Sequence, residues 1–309
     1  MTALPEDARR LARRAGRGAA ALAAVAWALI VFGALVRAHG AGLSCPDWPL
    51  CHGQVVPEFD ARIALEWGHR LLAGTLSLGV VALAVTLLSR AELRPRFMGP
   101  LVWICALLAL QVTLGGLTVL LGLAPWTVTA HLVVGNTFAL SLAWLARNAL
   151  DLASDVPRAP APAGRSIWVV AGGVGLQLVL GGLVSSHYAG LACATFPLCN
   201  GDSLAPTLFG PVGLHVLHRT NAYLVALAYA VFAWQRPGLA QLGFGLVLVQ
   251  IAVGAANVLL RLPVEVTALH TGLAAAIFLT TGLLVRDALA ARAPTRARLV
   301  ETPALGGAR

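Results

Sequence analysis

Residues 66–88 read EWGHRLLAGTLSLGVVALAVTLL. Glu66, His69 and Arg70 stand at the head of a run that then carries almost nothing polar. About 20 apolar residues are what a helix needs to cross a bilayer core. Similar runs recur along the chain, which is 309 residues long, 58% hydrophobic and 11% charged, with a mean hydropathy of +0.80. Soluble domains average about 45–50% apolar and about 25% charged residues, so this much apolar surface needs lipid. A β-barrel would show short alternating segments instead. The first run, near 19–36, is too long for the core of a cleaved signal peptide, and no A-x-A-like site follows it.

The chain therefore reads as an all-α integral membrane protein. Eight transmembrane helices are expected near 19–37, 66–88, 98–121, 127–147, 167–185, 213–234, 238–260 and 265–285. The 22 basic residues are all arginines and give a net charge of +9. With the N-terminus inside, seventeen arginines fall on inner segments. Five fall on the outer side: Arg37, Arg62, Arg70, Arg219 and Arg261. The excess of positive charge on cytoplasmic segments sets orientation. It places both termini in the cytoplasm and explains the charge without invoking nucleic acid. The expected divisions are a basic, partly disordered N-terminus (1–18), a four-helix half (19–150), a linker (151–166), a second half (167–285) and a polar tail (286–309). The linker carries Pro157, Pro160 and Pro162.

The halves repeat. ALVRAHGAGLSCPDWPLCHG (34–53) aligns with GLVSSHYAGLACATFPLCNG (182–201) at an offset of 148, with eleven of twenty positions identical. Further on, Gln111 and His131 match Gln250 and His270 at an offset of 139. Four spans per half would make the two four-helix bundles parallel repeats, related by an axis along the membrane normal.

His69, His131, His218 and His270 fall in the second, fourth, sixth and eighth spans. Each lies a few residues past the outer end, roughly 6–9 Å deep at about 1.5 Å per residue. A single buried histidine is more often a packing residue. Four at one depth and at repeat-related positions point to ligation. Haem iron takes axial histidines from facing helices. Zinc would need further ligands, and only Glu66 and His215 are near. Gly115, Gly116, Gly135, Gly181, Gly182 and Gly272 would leave room for a flat macrocycle, or serve close helix packing. Arg70 and Arg219 follow their histidines and would either pair with propionates or snorkel to the interface.

Aligning EWGHR with HVLHR sets Glu66 opposite His215. One half thus has a carboxylate beside its histidine and the other does not. Such a difference suits proton transfer or stabilisation of positive charge on a substrate. It is of little use to a pure electron carrier. Cys45 and Cys51 lie in the first outer loop, Cys193 and Cys199 in the third. Disulfides persist outside the cytoplasm. Pairing within each loop is the simplest of three connectivities. These loops would cap the sites, and their expected exposure would make a redox-active pair accessible. Cys105, in mid-span, reads as a small core residue.

EWGHR, the paired loop cysteines and the four helix histidines together resemble the haem A synthase family, and the likeness covers all eight spans. The resemblance implies an oxidoreductase of the bacterial plasma membrane that acts on a CH3 group. It would turn the ring methyl of haem O into the formyl group of haem A by successive hydroxylations. It implies haem b held by His218 and His270, with Arg219 nearby. It implies substrate haem flanked by His69 and His131, with Arg70 nearby. Glu66 would be the catalytic carboxylate and Cys45–Cys51 a functional pair, with Cys193–Cys199 as the second disulfide. Expected partners are haem O, membrane lipid, a haem O synthase and an electron acceptor, and a homo-oligomer is compatible with the sequence. The residues alone also fit a bis-histidine di-haem electron-transfer protein, which leaves the Glu66/His215 difference unexplained. A transporter would place its polar groups at mid-membrane, whereas here they cluster near the outer end.

Overall fold

A computed structural model describes residues 4–154, 164–201 and 203–292. Eight α-helices follow one another: α1 (Glu6–Ala38), α2 (Ala61–Leu88), α3 (Arg94–Leu120), α4 (Pro125–Leu152), α5 (Ser166–Ser186), α6 (Gly210–Gln235), α7 (Leu239–Leu259) and α8 (Val264–Arg292). A single 3₁₀ turn, Ala189–Leu191, follows α5. Seven of the helices are long and apolar enough to cross a membrane. The other, α6, has 26 residues but crowds His215, His218, Arg219 and Asn221 into its outer half, which lowers its mean hydropathy. Most of linker 151–166 and all of the tail beyond residue 292 lie outside the described residues.

The helix starts follow local chemistry. Asp60 caps α2 by accepting from the backbone N–H groups of Arg62 and Ile63, both at 2.8 Å. α3, α4 and α6 each carry proline in the first turn, where no intrahelical N–H is needed.

Two apolar cores form. One joins α1–α4 around Leu76, Phe97, Leu101, Ile104, Phe138 and Leu142. The other joins α5–α8 around Ile167, Val174, Tyr229, Phe232 and Ile277. Outward-facing Leu78, Val85, Leu224 and Leu227 remain exposed, as lipid-facing residues do.

Two expected boundaries shift. The N-terminal segment expected to be partly disordered is helical from Glu6. Ala8, Ala12, Ala15 and Ala19 form a buried stripe spaced by three and four residues. Gly16 in the same stripe lies against Leu150 of α4, and Arg13 donates to the Ala153 carbonyl at 3.0 Å. At the other end, α8 runs on through Arg286, which was expected to open the polar tail. Arg286 is buried and engaged.

The two helix groups are tied at both ends. Towards the C-terminal ends of α4 and α8, Arg286 bonds Asp151 at 2.5 Å, Asp287 at 2.9 Å and Asn148 at 2.9 Å. Arg147 reaches Asp287 at 3.4 Å. Nearer the middle, Trp27 Nε1 donates to the Gly272 carbonyl at 2.9 Å. At the opposite end Arg37 donates to the Ser185 carbonyl, and its guanidinium lies 5.0 Å from the centre of the Tyr188 ring. Thr129 and Ser186 share a buried hydrogen bond at 3.0 Å.

The side chain of Arg286 is 10% exposed and that of Arg147 is 28% exposed. Arg286→Ala should therefore destabilise more than Arg147→Ala. Losing hydrogen bonds between charged partners costs roughly 1.5–3 kcal/mol each before any screening. The expected result in a detergent melting experiment is a clear drop for Arg286→Ala and a smaller one for Arg147→Ala. The reverse order would show that this network does not hold the ends of α4 and α8 together.

Candidate functional site

The four histidines share one local arrangement. Each lies against a glycine of the preceding helix. A Cβ on Gly33 would fall 3.2 Å from His69 Cε1, and one on Gly115 would fall 3.1 Å from His131 Cε1. Corresponding distances are 3.3 Å from Gly181 to His218 and 3.1 Å from Gly254 to His270. A side chain at any of these places would push the ring. Of the glycines expected to leave room for a macrocycle, only Gly115 and Gly181 stand behind histidines. Gly116 faces Trp48, Gly135 faces Gln111, Gly182 faces Thr129, and Gly272 faces Val31 and Trp27. Gly33 and Gly254 escaped the sequence reading, although both align with their partners at the repeat offsets.

Nδ1 of His69, His131 and His270 is buried and has no hydrogen-bond partner. An unmatched polar atom in an apolar interior is costly. No group of three or more His, Cys, Asp or Glu able to hold a metal ion by itself occurs among the described residues. This leaves histidine pairs rather than a zinc-type cage. The rings of His218 and His270 are 6.5 Å apart, centre to centre, and tilted by 59°. A metal bonded at about 2 Å to one nitrogen of each imidazole would hold two ring centres about 6 Å apart. These residues therefore fit a bis-imidazole iron. In the other half, His69 packs edge-on against Phe32 at 5.8 Å, and Gln111 Nε2 lies 3.3 Å from His131 Nε2.

The outer rim differs between halves. Glu66 is 7% exposed, so the carboxylate is not a solvated surface group. Arg70 Nε donates to Glu66 Oε1 at 3.0 Å. Its remaining groups donate to the carbonyls of Asp47 (2.8 Å), Leu50 (2.7 Å) and Cys45 (2.9 Å). Four of the five guanidinium N–H donors are thus taken. One N–H, on Nη2, is left for the expected partnership of Arg70 with a propionate, and a two-pronged pairing would have to displace a loop carbonyl. Arg219 donates to a single loop carbonyl, that of Cys193, at 2.9 Å. Its second terminal nitrogen is buried without a partner, which leaves it available to an anion. His215 replaces Glu66, and its Nδ1 accepts from the Cys193 N–H at 3.3 Å.

Both cysteine pairs are bonded within their loops, Cys45–Cys51 and Cys193–Cys199. All four cysteines are at most 1% exposed, which corrects the expectation of exposed pairs. They are covered because Arg70 and Arg219 draw the loops down onto the helix ends. Cys105 is exposed on α3, where it was expected in the core. In the first loop, Asp47 accepts from the backbone N–H groups of Gly53 (2.7 Å) and His52 (2.6 Å). These bonds hold its carboxyl below the ordinary carboxylate range, the Gly53 bond most of all. They persist at neutral pH and are lost as pH falls through that lowered value.

Fold and site together define a multi-pass helical membrane protein with two pairs of intramembrane histidines beneath disulfide-closed loops. Residues 18–281 match the profile of the COX15-CtaA family of cytochrome oxidase assembly proteins. A haem A synthase from Shewanella oneidensis is 32% identical over 303 residues, covering 82% of this chain and 90% of the relative. One from Symbiobacterium thermophilum is 32% identical over 267 residues, covering 79% and 85%. One from Bacillus pumilus is 31% identical over 214 residues, covering 64% and 66%. The chain belongs to the COX15-CtaA family, alongside these haem A synthases.

Arg70 holds its loop by three carbonyls and Arg219 by one. Charge-assisted bonds are worth roughly 1.5–3 kcal/mol each. Arg70→Ala should therefore speed reduction of Cys45–Cys51 by a phosphine roughly tenfold or more, read by maleimide labelling and peptide mapping. Arg219→Ala should change Cys193–Cys199 less, since His215 still holds the Cys193 N–H. Equal rates in Arg70→Ala and wild type would show that Arg70 does not cover the pair.

Proposed function

We propose that this chain is a haem A synthase that oxidises the ring methyl of haem O to a formyl group through two hydroxylations and loss of water. It acts on a CH3 group and passes electrons to an external acceptor. The observation that carries this reading is one carboxylate, Glu66, beside only one of two otherwise matching histidine pairs.

On this reading His69 and His131 flank the substrate haem, and His218 and His270 hold a resident haem b. The 6.5 Å ring separation supports the second pair. Haem b would supply a one-electron redox station there. Arg219, with a buried unpartnered nitrogen, meets a propionate of the resident haem. Arg70 anchors the loop and orients Glu66, with one N–H of Nη2 left for the substrate propionate.

Taking electrons from the methyl group leaves a cation-like carbon. Glu66 lies three residues from His69, so the two share a helix face. Its carboxylate stabilises that positive charge or takes the proton of attacking water. Burial strengthens both effects, because low dielectric screens less. Cys45 and Cys51 form the functional pair of this half, reached when their loop lifts.

The two halves are parallel repeats about an axis along the membrane normal. The matched crossing contacts Arg147–Asp287 and Arg286–Asn148 support this arrangement, since both partners shift by the same 139 positions. Arginine distribution supports cytoplasmic termini, with outer loops facing the extracytoplasmic side of a bacterial plasma membrane. Haem O, delivered by a haem O synthase within the lipid, enters the N-terminal half.

Glu66→Gln should cut haem A production about a hundredfold or more at normal expression, the scale on which positioned acid–base groups contribute. Chromatography of extracted haem reads this directly. Full haem A production by the variant would remove Glu66 from the chemistry. In the same assay wild type should yield haem b with haem O or haem A, and His218→Ala should lose haem b selectively. Two haem b per chain, unchanged by a haem O source, would support an electron-transfer protein instead.

A further inference from the structure

The ring of His218 has a neighbour that the ring of His69 lacks. Gln177 on α5 places its Nε2 3.2 Å from His218 Nδ1 and 3.3 Å from His218 Nε2. It also donates to the His218 backbone carbonyl at 3.2 Å. A point equally far from both ring nitrogens would overlap Cε1 if it lay in the ring plane. The amide therefore stands over the face of the ring, and the in-plane lone pairs stay free for a metal. Gly181 meets the Cε1 edge. The ring is thus held on a face and on an edge.

Gln177 is itself fixed. Asn221 Nδ2 donates to the Gly173 carbonyl at 3.0 Å and to Gln177 Oε1 at 2.8 Å. A backbone carbonyl only accepts, so it decides which end of the Asn221 amide faces it. Asn221 then turns Gln177 Oε1 away from the histidine and Nε2 towards it. At the repeat offsets of 148 and 149, the places of Gln177 and Asn221 are taken by Leu29 and Leu72. No such chain can form beside His69, whose Nδ1 has no partner.

We propose that Gln177, held by Asn221, is a positioning residue that makes the C-terminal site the one that retains its haem. Leu29 and Leu72 offer His69 no polar partner, so its ring is held by packing alone and the N-terminal site exchanges substrate for product. This rests on the reading that His218 and His270 carry the resident haem b. The physical basis is preorganisation: a ligand already fixed loses less freedom on binding. A site that must release its product gains nothing from that.

The test uses the full-length holoprotein in detergent and apomyoglobin as haem acceptor. Loss of haem b is followed by its spectrum in wild type, Gln177→Leu, Asn221→Leu, Leu29→Gln and His218→Ala. Removing the partners of a metal ligand commonly costs about ten- to a hundredfold in affinity. Gln177→Leu should therefore release haem b about ten- to a hundredfold faster, and its low-spin EPR signal should broaden as the imidazole orientation relaxes. Asn221→Leu, which keeps the Gln177 donor but frees its oxygen, should fall between. Leu29→Gln should slow the exit of haem from the N-terminal half. Haem b release from Gln177→Leu and Asn221→Leu at the wild-type rate, with unchanged EPR, overturns the proposal. If Gln177→Leu fails to fold, Asn221→Leu and Leu29→Gln decide the question by the same readouts. Retention of haem b by His218→Ala would instead overturn the ligand reading beneath it.

Discussion

A histidine ring carries two nitrogens, and in hydrocarbon neither finds water. Placing four such rings within helices whose outer faces are bare leucine and valine is tolerable only if something else meets those nitrogens. The protein itself does little to meet them. Three of the four leave Nδ1 buried and unpartnered. Helix packing is instead arranged so that each ring stands against a glycine of the preceding helix, with the rest of the ring turned into the bundle. The missing side chains at Gly33, Gly115, Gly181 and Gly254 are what allow an imidazole between tightly packed helices. A bis-imidazole iron is the ligand that this geometry suits.

The rim beneath the disulfide loops then sets the two pairs apart. In the N-terminal half Arg70 lies between Glu66 and three loop carbonyls, so the carboxylate and the covering loop depend on one guanidinium. Moving the loop therefore changes the surroundings of Glu66. In the C-terminal half the corresponding loop is held through both backbone groups of one residue. His215 takes the N–H of Cys193 and Arg219 takes its carbonyl. No carboxylate among the described residues participates. The first rim couples loop and chemistry, whereas the second is a plain anchor with one nitrogen of Arg219 to spare.

Much of this was legible in the sequence because lipid simplifies the pattern. Apolar length set the helices, and repeat offsets set the histidines and cysteines in corresponding places. Intraloop pairing was the simplest of three connectivities open to the four cysteines, and the structure has it. What escaped had a physical reason in each case. The N-terminal segment looked like a basic tail because its arginines dominate its composition, yet alanines at helical spacing bury one face of it. Arg286 looked like the start of a tail because a charge in sequence says nothing about Asp151 and Asn148, more than a hundred positions away. The cysteines looked exposed because loops usually are. Only the arginine contacts show that they are covered. Gly33 and Gly254 are indistinguishable from packing glycines until the histidine opposite is seen.

A duplicated bundle that uses its copies differently must break its symmetry without disturbing what joins the copies. The positions divide accordingly. In the charged network that joins α4 to α8, two matched pairs remain similar: Arg147 and Arg286 are identical, and Asn148 and Asp287 differ by one group of similar shape, whereas at the other joins Arg37 matches Ser185 and Thr129 matches Ala268. Near the histidines the matched glycines and arginines are kept, and three other matched pairs diverge in chemistry: Glu66 against His215, Leu29 against Gln177, Leu72 against Asn221. The diverging set makes no contact in the joining network of Arg147, Asn148, Asp151, Arg286 and Asp287, so a change in one leaves the other intact. Distant sites without shared partners contribute nearly additively. That independence is what would let one copy specialise in holding a haem while the other specialised in transforming one.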